Sequence, residues 1–145
     1  MLKIKITKPS QRRVDDLRRR PQLVEEANGE ALREFGEHQQ RRLYRLLTTG
    51  KRTGRTYLFR GRRHVASAPG EPPARRTGRL SRTVGYTSNN HRMEFGDRAD
   101  YGKFLEEGTR RMRARPHIRT VGLFAEEKLR QLLAQHTRKA MRALK

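Results

Sequence analysis

The chain has no cysteine. Disulfides and thiolate metal sites are therefore excluded, and the absence fits a reducing compartment. Apolar material is also scarce. Of the 145 residues, 32% are apolar and 35% charged, a thin supply for the core of the one domain that this length implies. Part of the chain is expected to sit outside that core as arm or tail. No apolar run approaches the roughly 18 residues that span a bilayer. Met1–Ile6 alternates apolar and basic residues and lacks the continuous apolar centre of a secretory signal, so the chain reads as soluble and made in a cytoplasm. Acidic residues are few as well. Fifteen Asp and Glu against 36 Lys and Arg leave a formal charge of +21. Self-repulsion on that scale opposes compaction and favours a polyanionic partner: nucleic acid, an anionic membrane or an acidic protein surface.

Catalytic patterns are missing too. His38, His64, His91, His117 and His136 lie at no metal-ligand spacing from one another and read as surface or helix-face histidines. Ser67, Ser81 and Ser88 lack a nucleophile-elbow context. Glu106 and Glu107, adjacent on a helix, point apart and read as solvated partners of nearby arginines. There is no glycine-rich strand-to-helix phosphate loop, since Gly108 follows a helix instead of preceding one. An enzyme is not expected, nor is a cofactor or a metal.

What is present is a series of short elements between two long helices. Leu2, Ile4 and Ile6 alternate with lysines, the period of a half-buried strand. Residues 12–20, rich in Arg, read as a loose helical turn or a linker. Val24, Ala27, Ala31, Leu32, Phe35, Leu43, Leu46 and Leu47 recur at threes and fours and predict a helix from about Pro21, a first-turn residue, to Thr49, with Gly50 as its stop. Gly29 and Gly36 weaken its interior and mark either a close contact or a bend. Arg55–Arg60 and Arg62–Val65 predict a hairpin turned at Gly61, and Pro69–Gly70 and Pro72–Pro73 forbid regular structure after it. A short helix capped by Thr77 is expected over 77–83. A second hairpin follows, with strands 84–88 and 91–95 turned at Asn89–Asn90. The pattern ends with a helix from Asp100 to Glu107, stopped by Gly108, and a last helix from near Pro116. The fold class is α+β: long N- and C-terminal helices packed on a small antiparallel sheet, with an extended Pro/Gly-rich hairpin arm at about 51–76 and a basic helix end at about 136–145.

The charge is mostly arginine, which binds phosphate in a bidentate way and stays ionised when partly buried. It concentrates in the arm, at Arg52, Arg55, Arg60, Arg62, Arg63, Arg75 and Arg76, and in the last helix. These are the DNA-facing candidates. Tyr57 and Phe59 stand among them. They offer base stacking or, more plainly, staple the hairpin together. No sequence-reading DNA motif is present, so any DNA contact is expected to be non-specific and salt-sensitive. A membrane is the weaker partner, because the last helix carries Ala and Leu positions that suit a protein core.

Four phrases occur in order: Ala68-Pro-Gly-Glu-Pro-Pro73, Thr77-Gly-Arg-Leu80, Tyr101 to Thr109 with Phe104-Leu-Glu-Glu-Gly-Thr109 at its end, and Met112 to Pro116 with Ala114-Arg115-Pro116. In that order and spacing, over about residues 20–135, the chain resembles the minor tail-component family of HK-type siphophages. The family often has Phe after the last proline, where this chain has His117, a departure that bears on local packing. The resemblance implies a structural virion protein of the neck or tail top, assembled in the host bacterial cytoplasm. It would act in tail completion and head–tail joining, as a homo-oligomeric ring around the double-stranded DNA exit channel, six-fold to match the tail tube it meets, next to neck, stopper and tail-tube proteins. On this reading Tyr57, Phe59, Pro69, Pro72 and Pro73 belong to a subunit-contact arm, and Thr77, Gly78, Leu80, Phe104, Gly108, Thr109, Arg115 and Pro116 form the fold motif. The charge alone supports a different reading, a non-specific nucleic-acid-binding protein acting outside a virion.

Overall fold

The structure is a computed structural model and describes residues 8–123 and 125–144; the strand expected at Leu2–Ile6 lies outside them. The elements are α1 (Lys8–Thr49), β1 (Thr56–Phe59), β2 (Arg62–Val65), α2 (Arg79–Arg82), β3 (Val84–Ser88), β4 (Met93–Asp97), α3 (Gly102–Glu107), α4 (Ile118–Gly122) and α5 (Ala125–Arg142). The fold is α+β, as expected. Helix α5 packs along α1, and α1 also carries the β3–β4 hairpin. The strands make two separate antiparallel pairs, β1–β2 and β3–β4.

Helix α1 runs through Pro21 and does not start there. Pro21 deletes one backbone hydrogen bond, but Arg18, Arg19 and Arg20 before it are good helix formers and continue the helix across it. The face turned to the body repeats every four residues as Ala27, Ala31, Phe35, Gln39, Leu43 and Leu47, all buried, which places them on one side of the helix. One core cluster joins Leu43 and Leu47 to Leu80, Val84, Ala99 and Val121; a second joins Ala31 and Phe35 to Leu132 of α5. Burying each of these leucines contributes about 2 kcal/mol. Gly50 stops the helix by donating its N–H to the Leu46 carbonyl at 2.9 Å.

Of the two meanings open for Gly29 and Gly36, close contact is the correct one. A Cβ on Gly36 would enter the Tyr86 ring, and one on Gly29 would enter the Asn90 amide. Both partners lie on the β3–β4 hairpin, which therefore sits directly on the α1 backbone. Gln40 adds a hydrogen bond from its Nε2 to the Val84 carbonyl at 3.3 Å.

Two further boundaries differ from those the sequence predicts. Ser88 faces Met93 in the β3–β4 register, so the turn has four residues, 89–92, and β4 starts at Met93. The Asn89 side chain sets this length, its Oδ1 accepting the His91 and Arg92 N–H groups at 2.9 and 2.7 Å, a side-chain mimic of a backbone turn. The last helix is two helices. Leu123 is extended, with φ −58° and ψ 136°, directly after Gly122, the weakest helix former in the segment.

Candidate functional site

The Pro/Gly-rich segment is docked on the body. Ser67 and Pro73 are buried, Pro72 is half-buried and Pro69 exposed. The Gly70 N–H donates to the Ala114 carbonyl at 3.0 Å. The Glu71 carboxylate accepts the N–H groups of Thr53 and Ala68 at 2.9 and 2.8 Å and the Thr53 hydroxyl at 2.5 Å. The Thr53 hydroxyl, then the two amides, hold its pKa below the usual carboxylate range. The arm expected at 51–76 thus divides in two. Residues 66–74 are tied down, and the β1–β2 hairpin is the part that stands off.

Helix α2 opens at Gly78, not at Thr77. Gly78 has φ 76° and is the N-cap, while the Thr77 hydroxyl only receives the Arg79 N–H at 3.4 Å. A residue with positive φ at the cap favours glycine. Leu80 of the same phrase is in the core.

The two later phrases close on a buried polar hub. Gly108, with φ 82°, ends α3. Thr109 then turns the chain, pairing its backbone with Met112, and the Arg115 N–H reaches back to the Leu105 carbonyl at 2.7 Å. This delivers His117 to the interior. Its side chain is 0% exposed, with Nε2 2.8 Å from Asp97 Oδ2 and Nδ1 3.0 Å from Glu106 Oε2. Glu106 also accepts the N–H groups of His117, Ile118 and Arg119 at 2.7, 3.0 and 2.8 Å, so a side chain from α3 satisfies the orphan donors that open α4. Burial pushes Glu106 up, but the three amides and the adjacent His117 outweigh it, and the net shift is downward. Gly102 is required because the Asp97 carboxyl occupies the place of its Cβ. Two expectations are corrected by this hub. His117 is a core residue because two carboxylates meet it, and Glu106 is a helix cap, not a solvated partner of arginine. Phe104 and Pro116 flank the hub, Phe104 exposed and Pro116 half-buried.

The hairpin has a different character. Tyr57 packs edge-on against His64 across the strands, with ring centroids 5.1 Å apart, and Phe59 lies 6.5 Å from the same ring. The guanidinium groups of Arg60 and Arg76 rest over Phe59 at 5.5 and 4.8 Å. The aromatics are thus engaged within the hairpin and its foot. Arg55, Arg60, Arg62 and Arg63 are exposed, as are Arg76 and, beside Gly78, Arg75. Arg52 separates from this group. It is half-buried and donates to the Thr48 carbonyl at 2.9 Å, closing the end of α1 where a cation meets the negative end of the dipole.

Between the hairpin foot and α2 lies a cleft of about 640 Å³, lined by Tyr57, Pro73, Leu80, Leu105 and Arg115 among others. The Arg115 Nε is buried there without a hydrogen-bond partner among the described residues. Elsewhere, His136 joins the long helices, its Nδ1 3.1 Å from Glu30 and its Nε2 2.8 Å from Glu34. Burial, then the nearby Arg42, Lys128 and Arg41, push the His38 pKa down. Toward the basic end of α5, Arg138, Lys139 and Arg142 are exposed. Among the described residues no group of three or more His, Asp or Glu side chains is disposed to hold a metal, and no helix is long and apolar enough to cross a membrane.

Chemically, the hub is shut from solvent and its hydrogen-bonding capacity is spent internally, so it holds the fold together. The guanidiniums of the hairpin and its foot, like the exposed cations of α5, are left to act on something else. Against family models, curated proteins and solved structures, the chain gives no match.

Proposed function

We propose that this chain is a structural virion protein of the neck or tail top, acting in tail completion and head–tail joining as a ring around the DNA exit channel. The observation that carries the reading is the meeting of the ordered phrases. Ala68–Pro73, Thr77–Leu80, Tyr101–Thr109 and Met112–Pro116 are separated in sequence, yet they join through the Gly70–Ala114 and Leu105–Arg115 bonds and the walls of one cleft. Residues that serve one shared scaffold explain why the phrases occur together and in this order, as the resemblance requires. A net charge of +21 suits a subunit set beside a polyanion, and a closed ring is built from heterologous contacts between unlike surfaces. Six subunits, neighbouring neck, stopper and tail-tube proteins, and a virion location belong to this proposal.

Imaging the purified protein by negative-stain electron microscopy, with its mass measured by light scattering, tests the reading. Closed rings with an open centre are expected. A protein that stays monomeric at all concentrations while binding duplex DNA stoichiometrically near physiological salt would replace it with a nucleic-acid-binding protein acting outside a virion.

A further inference from the structure

The hairpin tip keeps an arginine where the backbone disfavours one. Phe59 faces Arg62 in the register, which leaves a two-residue turn, Arg60–Gly61, with φ 50° and 73°. Turns of this kind need positive φ at both positions and favour Asn, Asp or Gly. Arg60 is the only non-glycine with positive φ among the described residues. A left-handed arginine costs free energy that Asn or Gly would largely avoid, and such strain is a pointer to function when it sits at an exposed tip.

The surroundings say what that function is. Arg60, Arg62, Arg63 and Arg76 line one shallow pocket with Phe59 and His64, and no carboxylate lines it. None of the four arginines makes an ion pair or a side-chain hydrogen bond among the described residues; Arg60 and Arg76 lie over the Phe59 ring. Four cations gathered without an acid repel one another, and a bound anion relieves that repulsion. The apolar part of the pocket, Phe59, is already covered by two guanidiniums, so it offers no anchor for the apolar hot spot that a protein partner uses. A phosphate backbone needs only charge and forked donors.

We propose that the β1–β2 tip, with Arg60, Arg62, Arg63 and Arg76, is a clamp for the phosphate backbone of duplex DNA. It takes its partner from the proposed function, but it can be tested apart from ring formation. The Phe59 ring holds Arg60 and Arg76 in place, so their freedom is spent before DNA arrives.

The test uses the full chain and a random-sequence duplex, with affinity measured across a salt series. Each phosphate contact contributes about 0.9 to the slope of log affinity against log salt, equivalent to about five-fold in affinity at physiological salt. The triple variant Arg62→Gln, Arg63→Gln, Arg76→Gln should lower the slope by about 3 and the affinity about a hundred-fold. The same number of charges removed from α5, as Arg138→Gln, Lys139→Gln, Arg142→Gln, should change the slope by less than about 1. Arg60→Asn should weaken binding about five-fold while its melting temperature stays equal or rises, because asparagine tolerates the left-handed turn. Equal losses from the two triple variants would overturn the clamp in favour of diffuse charge. Competition by polyglutamate as effective as that by duplex, at equal charge, would overturn it in favour of an acidic protein partner. If the wild type forms no ring while the hairpin triple loses DNA, the clamp stands and the virion reading fails. If rings form and the slope does not move, the reverse holds.

Discussion

The buried hub and the hairpin tip handle charge in opposite ways. At the hub, one histidine sits between two carboxylates, and the Glu106 carboxylate is further bound by three amides. At the tip, four guanidiniums gather with no acid, one of them carried by a turn arginine in a left-handed conformation. The hub side chains His117 and Asp97 are 0% and 2% exposed, whereas Leu58 on the hairpin is 77% exposed. In a chain of +21 with few apolar residues, two carboxylates are thus used to close the fold at the hub, while the cations of the tip are left where they can meet something else. The difference separates what this protein uses to be a protein from what it uses to act.

The sharpest way to break the comparison is to remove the histidine. His117→Ala leaves the Asp97 carboxylate buried and without its ring partner, and breaking a buried pair from one side costs about 3–5 kcal/mol. Urea denaturation should show a loss of that size. His117→Phe restores the ring volume but still leaves the buried Asp97 Oδ2 without its imidazole partner, while Glu106 keeps its three amides, so most of the loss should remain. A loss below about 1 kcal/mol for the Ala variant would mean that the hub is not what holds α3 and α4 together.

A second prediction uses pH. The folded pKa of Glu106 is lowered, so its contribution to stability is present above the unfolded value of about 4.3 and is lost as pH falls through the folded value. Glu106→Gln removes that contribution. The stability gap between wild type and variant should be widest near neutral pH and should close as pH falls below about 4. A gap that stays constant down to the acid limit would show that the cap acts through shape and not through its charge.

The two regions also differ in how far they can be read from the chain. The hairpin is local: a strand-like run, Gly61 and a second run predict it, and strand pairing follows within ten residues. The four phrases are legible in order along residues 68–116, and the fold class follows from the two helical stripes and the hairpins between them. The hub is not local. Asp97, Glu106 and His117 are twenty residues apart end to end, and each alone reads as an ordinary surface residue. Their signal was indirect: Gly102 placed where a carboxyl needs room, and a histidine directly after Ala114-Arg115-Pro116. Gln39 escaped for a related reason. It fills the gap between Phe35 and Leu43 in a four-residue repeat and is fully buried, yet its polarity removed it from any list of apolar positions. The α4–α5 break was hidden because the apolar spacing continues across Leu123 while the backbone does not.

The smallest expected effect sharpens the comparison from the other side. The triple variant Arg62→Gln, Arg63→Gln, Arg76→Gln removes three charges from side chains that make no ion pair, and exposed substitutions of this kind stay within about 0.5 kcal/mol. Relief of like-charge repulsion should tilt even that small change toward stability. The same urea series that reports the His117→Ala loss reads it directly. A loss above about 2 kcal/mol would mean that Arg76 over the Phe59 ring is holding the hairpin to its foot and that these arginines are part of the scaffold. With stability unchanged, any loss of DNA affinity in that variant belongs to the surface itself, because the fold that presents it is intact.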